Sequence, residues 1–297
     1  RMDSLDNLIL KSIKKKESCG AHADVVNVIH KYYRNEFVCA GLKENAWYYF
    51  SSDSCKWKQT EQGHELRRRL SDDIVEIYAY YAKKYKLMKG DDPDSDEYEK
   101  YGKYNKNCYS VILKLKGISY TEQIMKGCKD KFYDSEFNKK INTNLDIVGL
   151  NNCVIDLKCR VGEETRIMFR EGIPDDFITI SMGYELPVER GDLPMSCEDV
   201  LDYIKDKQID NEFTQLELDL DDFFLKVLPY EDVREYTLRF LSSCLSGEVT
   251  DHKFYMWTGS GGNGKSLLVK LLQHTLGDYS KTLDVSYITK ERGGSSN

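Results

Sequence analysis

One stretch near the C-terminus has the residue types and the spacing needed to hold a phosphate chain: Gly259-Ser260-Gly261-Gly262-Asn263-Gly264-Lys265-Ser266. It matches the pattern G-x-x-x-x-G-K-S/T in full. Glycines let backbone N–H groups curl around phosphates, and the N-terminus of a following helix adds partial positive charge. In this pattern the lysine reaches the β- and γ-phosphates, and the serine hydroxyl ligates Mg²⁺. The stretch therefore predicts a nucleoside triphosphate site, with Lys265 and Ser266 in those two roles.

The flanking residues predict the elements that position this loop. Lys253 to Thr258 form a short apolar and aromatic run that predicts a strand, and 267–272 continue as a helix that ends at Gly277. The order strand, glycine loop, helix is the context in which the motif forms a phosphate site.

Two other interpretations of the loop were weighed. Residues 259–264 also satisfy G-x-G-x-x-G, the fingerprint of a dinucleotide fold. Lys265 and Ser266 argue against it, because a dinucleotide site has no use for a lysine and a Mg²⁺-binding hydroxyl at those positions. A glycine-rich loop that binds nothing is disfavoured by the complete pattern and its context.

Length and composition restrict the class of protein. The 297 residues suit two domains, and 40% hydrophobic residues are enough for packed cores. No run approaches eighteen apolar residues, and the polar N-terminus lacks a signal-peptide region, so we expect a non-secreted intracellular protein without a membrane span. The net charge of −7 excludes a uniformly basic nucleic-acid binder, so any DNA contact has to be local.

The nine cysteines are scattered, and none forms C-x-x-C. We expect reduced, mostly buried thiols, and we predict neither a zinc site nor a cysteine nucleophile. The basic cluster from Lys11 to Lys16 and the three arginines at 67–69 allow two interpretations, a nucleic-acid contact or a solvated helix face, and the second is favoured.

The front of the chain predicts helices with a small aromatic sheet. Residues 22–34 have helical periodicity, 37–39 and 46–50 predict two strands, and Trp57 begins a third. We expect the aromatic residues of this sheet to form its core, although aromatics in a sheet can also stack on bases. A helix is predicted over 64–87. Residues 91–97 predict an exposed acidic insertion, with helix resuming near Tyr104.

The middle of the chain predicts a second sheet. Residues 145–157 indicate a strand pair, 166–170 a further strand, and 177–180 one more. The stretch from Pro187 to Pro194 predicts a domain boundary. Helices follow, the first with Ser196 as N-cap and Asp199 at its third position. The predicted domains are an N-terminal domain at 1–188, a helical linker at 189–248, and the start of a P-loop core at 249–297.

The position of the loop adds an expectation. Only 31 residues follow Ser266, whereas a nucleotide-hydrolysing core with its acidic Mg²⁺ strand needs on the order of a hundred. We therefore expect a piece of a longer protein, with no assignable catalytic acid and with negligible ATP hydrolysis by these 297 residues alone.

The sequence resembles the superfamily 3 helicases of the poxvirus-type primase-helicase group, found in large DNA viruses, phages and plasmids. Three segments carry the resemblance: Trp47 to Arg69, the run Asn152-Cys153-Val154-Ile155-Asp156-Leu157, and Phe240 to Leu276 with its G-G-N-G-K-S loop. Cys153 stands where the family usually has glycine, so that turn differs if it needs a positive φ.

The resemblance implies a fold, an activity and partners. The fold would be an α+β N-terminal domain, mostly helical with small antiparallel sheets, then a helical linker and the first strand, loop and helix of an AAA+-like P-loop core. The activity would be ATP-driven, Mg²⁺-dependent DNA unwinding in a hexameric ring. Partners would be single-stranded or forked DNA, a primase domain or other replication proteins. The location would be the host cytoplasm or a viral replication site.

The resemblance transfers site residues only at the loop, from Gly259 to Ser266, and makes Asn152 and Asp156 structural positions. Two other functions remain open: a module for assembly or DNA binding without turnover, and a small-molecule kinase. The late position of the loop argues against the kinase.

Overall fold

The computed structural model describes residues 4–206, 210–248 and 253–289. It is a mixed structure of helices and small antiparallel sheets, as predicted. The described helices are α1 (Leu5–Ile13), α2 (His22–Tyr33), α3 (His64–Ser71), α4 (Asp73–Met88), α5 (Asp96–Leu115), α6 (Ile118–Lys131), α7 (Phe137–Lys140), α8 (Cys197–Asp206), α9 (Asp210–Val227), α10 (Glu231–Ser243), α11 (Lys265–Leu276) and α12 (Ser286–Thr289). The described strands are β1 (Phe37–Gly41), β2 (Ala46–Ser51), β3 (Lys56–Glu61), β4 (Ile147–Gly149), β5 (Val154–Val161), β6 (Glu164–Arg170) and β7 (Met195–Ser196).

The chain forms two compact units. The first contains residues 1–51 and 57–141, and the second contains 52–56 and 142–297. The domains predicted from the sequence, at 1–188, 189–248 and 249–297, were defined by their expected functions. They stay a prediction.

In the first unit, helices pack around a core that is rich in aromatic residues. The predicted helix over 22–34 and the three predicted strands are confirmed, and the strands form one sheet in the order β1-β2-β3. Trp47, Phe37 and Trp57 expose 0%, 1% and 3% of their surface. Burying such side chains contributes about 2–3 kcal/mol each, so the aromatics of this sheet are core residues, as expected.

Two predicted helix boundaries in this unit are wrong. The helix predicted over 64–87 is two helices, α3 and α4, because Asp72 leaves the helical region with φ −104° and ψ −81°. Residues 96 and 97, assigned to an acidic insertion, lie in the first turn of α5, which begins at Asp96 and not near Tyr104. Ser95 caps this helix by accepting a hydrogen bond from the Tyr98 amide at 3.1 Å. Acidic residues are favourable in a first turn because they face the positive end of the helix dipole.

Two arginines of α3 form ion pairs. Arg69 pairs with Glu65 at 3.1 Å and with Glu36 at 2.8 Å. Arg68 pairs with Glu65 at 2.7 Å and lies 4.0 Å from Asp72. Glu36 and Glu65 are therefore their main partners.

The second unit contains a sheet with the order β4-β5-β6-β7, and the predicted strand pair and the strand at 166–170 are confirmed. Asn152 and Asp156 both make structural contacts there. The Asn152 amide donates to the Leu186 carbonyl at 2.7 Å and accepts from the Leu186 amide at 2.9 Å. Asp156 accepts from Arg170 at 2.9 Å. Cys153 is fully buried and is not among the residues with positive φ, so this turn does not require glycine.

Two predicted strands of the second unit are wrong. Residues 177–180 are irregular, because Phe177 adopts a left-handed conformation with φ 51° that interrupts an extended chain. Residues 253–258 are also irregular. A strand needs a hydrogen-bonded neighbour in a sheet, and among the described residues neither sheet includes 253–258. Phe254 and Met256 expose 79% and 72% of their surface.

All nine cysteines are free thiols, and six of them are buried, as expected. Burial raises the pKa of the Cys108, Cys128 and Cys153 thiols to about 12, which keeps them protonated and unreactive. Over the part of the chain that the structure describes, no group of three or more His, Cys, Asp or Glu side chains could hold a metal ion. None of the described helices is both long enough and apolar enough to cross a membrane.

Candidate phosphate-binding site

The glycine loop leads directly into the N-terminus of α11. Gly264 is the N-cap residue with φ 78°, and Lys265 begins the helix. Gly262 also has a positive φ of 81°. These left-handed conformations favour glycine, and they turn the chain so that the loop ends at the first backbone N–H groups of the helix. Those groups have no partner within the helix and are suited to an anion.

Close packing inside the loop explains why residue 259 is a glycine. A β-carbon on Gly259 would lie 2.5 Å from Nδ2 of Asn263 and 2.9 Å from Nζ of Lys265. The space beside Gly259 therefore holds the ends of two polar side chains. An alanine at this position would displace both of them.

Lys265 is half-buried and contacts its own loop. Its ammonium donates to Oδ1 of Asn263, and it also donates to the Ser260 carbonyl at 3.5 Å. The structure thus brings together the ammonium of Lys265, the amide of Asn263 and the backbone of the loop. The Ser266 side chain is exposed at the start of α11.

A cleft of about 470 Å³ adjoins the loop. Thr258, Asn263 and Lys265 line it, together with residues of the junction between α9 and α10. The lining residues from that junction are Val227, Leu228, Pro229, Tyr230, Val233 and Thr237. The Lys265 ammonium and an apolar wall therefore line the same space.

The local sequence accounts for this junction. Pro229 cannot continue α9, which ends at Val227, and Tyr230 is the N-cap residue of α10. The Arg234 guanidinium donates to the Leu228 carbonyl at 3.1 Å and holds the turn. The Thr237 hydroxyl donates to the Val233 carbonyl at 2.7 Å, so its proton is already used within the helix. The wall therefore presents mainly apolar and aromatic surface.

The far end of α11 is anchored within the same unit. The Tyr279 hydroxyl accepts the Gly149 amide at 2.8 Å, and Asp278 accepts the Ser181 amide at 3.1 Å. Gly277 permits close approach to the neighbouring chain, because a β-carbon there would lie 2.3 Å from the Met182 carbonyl oxygen. The helix that begins at the loop is thus fixed to the end of β4 and to the segment after Ile180.

The sequence identified the loop but not the wall. Residues 227–237 lie 22 to 32 positions before Gly259. The one local signal for them is the proline break between two helices. Tyr279, which anchors α11, lies beyond the helix and had no motif to single it out.

No protein-family model matches the chain. Comparison with known proteins finds a "Putative helicase" of Acanthamoeba polyphaga mimivirus that is 30% identical over 294 residues, covering 98% of this chain and 27% of that protein. A "Putative helicase" of Frog virus 3 is 23% identical over 347 residues, covering 94% of this chain and 35% of that protein. A "Putative primase" of African swine fever virus is 22% identical over 267 residues, covering 88% and 24%.

The chain therefore spans about a quarter to a third of the length of these relatives. The similarity covers nearly all of the chain in the mimivirus and Frog virus 3 comparisons, so it includes the loop as well as the front of the sequence. This chain is related to proteins of large DNA viruses that are named helicases and primases.

Proposed function

We propose that this chain is the part of a viral replicative helicase that contains its ATP-binding loop, within a longer protein of the superfamily 3 primase-helicase type. The observation that carries the proposal is the placement of Lys265, Asn263 and the N-terminus of α11 around one loop beside an apolar cleft. The relatives named as helicases supply the class of activity.

The geometry of the loop suits a triphosphate. In the proposed complex, phosphate oxygens replace Asn263 and the Ser260 carbonyl as partners of the Lys265 ammonium. They also accept hydrogen bonds from the loop and from the first N–H groups of α11. Charge-assisted hydrogen bonds of this kind contribute about 1.5–3 kcal/mol each.

The residues present also fit Mg²⁺ with its usual oxygen ligands. The Ser266 hydroxyl is exposed at the first turn of α11, next to the lysine that would hold the same phosphates. The bound ion would neutralise charge on the β- and γ-phosphates. In the proposed site Ser266 orients the ion, and Lys265 orients the terminal phosphates.

The apolar wall gives the base a place to lie. Tyr230, Val233 and Leu228 offer ring and aliphatic surface in the cleft that Lys265 also lines. Because the Thr237 hydroxyl already donates within its helix, the wall presents few groups that distinguish one base from another. We therefore propose that the site selects nucleotides mainly by their phosphates and accepts bases other than adenine.

The remaining expectations belong to this proposal. Assembly as a hexameric ring, unwinding of single-stranded or forked DNA, and cooperation with a primase domain or other replication proteins are proposed for the whole protein. So is an intracellular place of action, in the host cytoplasm or at a viral replication site. The P-loop core at 249–297 and the linker at 189–248 are proposed as its functional segments.

The test uses the longer viral protein and a matched pair of substitutions on α11. Lys265→Ala should abolish ATP hydrolysis and DNA unwinding while DNA binding largely survives. Lys270→Ala, an exposed lysine five residues further along the same helix, should leave both activities within about twofold. If Lys265→Ala retained unwinding, or if DNA binding fell together with hydrolysis, the assignment of the loop would be wrong.

A further inference from the structure

The first unit has a basic cleft in which α1, α2 and α6 meet. Helix α2 packs against both α1 and α6. A cleft of about 410 Å³ opens along α2 at this place. Its lining residues are Leu8, Lys11, Asp24, Asn27, His30, Lys31, Arg34 and Lys131.

The charge of this cleft differs from that of the chain as a whole. Among the described residues, four cationic side chains and one carboxylate, that of Asp24, line it. The chain carries a net charge of −7, but this charge is unevenly divided. The first unit has 26 Lys and Arg against 21 Asp and Glu, a net +5, whereas the second has 17 against 29, a net −12. The basic cleft therefore lies in the unit whose own balance is positive.

The pKa of His30 is sensitive to the positive potential inside the cleft. Its half-buried ring packs edge-on against Phe132, with 5.0 Å between ring centroids. Burial, followed by the charges of Lys131 and Arg34, lowers the pKa of His30 below its ordinary value. The neighbouring cations thus disfavour a further positive charge at this position. An anion bound in the cleft would have the opposite effect.

Helix dipoles explain part of this arrangement. Lys11, His30, Lys31 and Lys131 lie in the last turns of their helices, where a cation stabilises the helix end by about 0.3–1 kcal/mol. That effect places basic residues on each helix separately. It does not explain why three helices bring theirs to the same cleft. A cleft lined by several cations suits a polyanionic ligand.

Exposed aromatic rings lie close in sequence to two of the cations. Tyr32 follows Lys31 and exposes 46% of its surface, and Tyr133, two residues after Lys131, exposes 43%. Proteins that bind single strands combine a cationic groove with aromatic side chains on which bases stack. The cleft supplies the cationic groove, and Tyr32 and Tyr133 are exposed rings close in sequence to two of its lining residues.

We propose that the cleft between α1, α2 and α6 binds the phosphate backbone of single-stranded DNA. The choice of DNA as the polyanion rests on the proposed helicase function. Lys31, Arg34 and Lys131 contact phosphates, and Lys11 adds a further phosphate contact on α1. His30 accepts a proton more readily when a phosphate lies beside it. The site is separate from the nucleotide loop, which belongs to the second unit.

The experiment measures binding of a fluorescently labelled thymidine oligonucleotide of about 20 nucleotides to the 297-residue chain, between about 50 and 200 mM salt. The variant Lys31→Gln/Arg34→Gln/Lys131→Gln should lose at least tenfold in affinity. The slope of log affinity against log salt should become shallower by about 2, because each phosphate contact on a single strand contributes about 0.7. The matched control Lys83→Gln/Lys86→Gln/Lys103→Gln removes the same charge from exposed positions on α4 and α5 and should stay within about twofold.

Several results would overturn the proposal: no binding by the unsubstituted chain, an equal loss in the control, an unchanged salt slope, or tighter binding of RNA. Thermal unfolding shows whether the triple variant folds. If the triple variant does not fold, the histidine resonances of the unsubstituted chain are measured with and without the oligonucleotide. The oligonucleotide must then shift the His30 signals and raise its pKa, and unchanged signals refute the site. Lys265→Ala must leave oligonucleotide binding intact, while a failure of the helicase proposal would appear as absent nucleotide binding at the loop.

Discussion

Gly264 lies directly against Val227, so that a β-carbon on Gly264 would lie only 2.6 Å from Cγ2 of the valine. Val227 is the last residue of α9, and Gly264 is the residue from which α11 begins. This contact joins the glycine loop to the wall of the cleft beside it. The relative position of the glycine loop and the apolar wall therefore depends on the absence of a side chain at residue 264.

Gly264→Ala should destabilise the loop for two reasons. A left-handed backbone costs a non-glycine residue about 1–2 kcal/mol, and the new methyl group would overlap Val227. We expect a lower melting temperature and weaker nucleotide binding. Gly261→Ala is the matched control, since a β-carbon there meets nothing within 4 Å. A double variant, Gly264→Ala/Val227→Ala, should recover part of the loss, and equal effects of the two single glycine substitutions would contradict this packing.

Tyr230→Ala should separate recognition of the base from recognition of the phosphates. Tyr230 exposes 72% of its surface, so its removal should hardly change the melting temperature. Affinity for ATP should fall by about three- to thirtyfold, corresponding to a lost stacking contact of about 0.5–2 kcal/mol. Affinity for inorganic triphosphate should stay the same, as measured by competition. An equal loss for both ligands would mean that Tyr230 does not contact the base.

The ion-pair group around Arg170 should be necessary for the stability of the second unit. Arg170 donates to Asp156 at 2.9 Å and to both oxygens of Asp176, at 2.8 and 3.0 Å. Asp176 is buried and also accepts the Ile173 amide at 2.8 Å. Asp176→Ala leaves a partly buried guanidinium with one carboxylate fewer, and we expect a loss of about 3 kcal/mol in the free energy of unfolding.

The control for that substitution is Glu164→Ala. Glu164 pairs with Arg166 at 2.5 Å, but both side chains are more than half exposed, at 66% and 59%. An exposed pair contributes little, so the change should stay within about 0.5 kcal/mol in denaturant unfolding. If the two substitutions had equal effects, the buried group would have no special role.

His30 should make the first unit less stable in mild acid. Its folded-state pKa lies below the ordinary value near 6.5, so the unfolded chain binds the proton more tightly. Stability is then fully present above about pH 6.5 and is lost as the pH falls through the lower folded-state pKa. Among the described residues, the charged side chains that line the same cleft as His30 are Lys11, Asp24, Lys31, Arg34 and Lys131.

Melting temperatures of the unsubstituted chain and of His30→Asn, measured between pH 5 and 7, test this effect. The asparagine variant cannot take up the proton and should lose less stability on acidification. Addition of the oligonucleotide should reduce the difference, because bound phosphate favours the charged imidazole. A pH dependence identical in both proteins would contradict a lowered pKa at His30.

Local signals predicted much of this structure, and non-local pairing explains most of the errors. The glycine loop and the start of α11 depend on residues 259–266 alone, so the sequence was enough to place them. The strand predicted at 253–258 depends on a neighbour that those residues do not encode. Phe254 and Met256 stay exposed, while Tyr255 packs on Phe240 of α10 with 4.1 Å between ring centroids.

The candidate site shows the same division. Lys265 and Ser266 were identified by their motif, which reflects the chemistry of phosphate binding directly. Tyr230 and Val233 reach the cleft only because Pro229 ends α9 and α10 turns back beside the loop. No pattern in their own segment predicts that position. The arginines of α3 were assigned to a charged face, and the structure adds Glu36, which is distant in sequence from them.

The most direct test is calorimetric titration of ATP and Mg²⁺ into the 297-residue chain, comparing Lys265→Ala and Lys270→Ala with the unsubstituted protein. Loss of one charge-assisted phosphate contact of about 1.5–3 kcal/mol predicts a dissociation constant at least tenfold larger for Lys265→Ala. Lys270→Ala should bind as the unsubstituted chain does. Equal affinities in all three proteins, or no binding by the unsubstituted chain, would contradict a nucleotide site at Gly259 to Ser266.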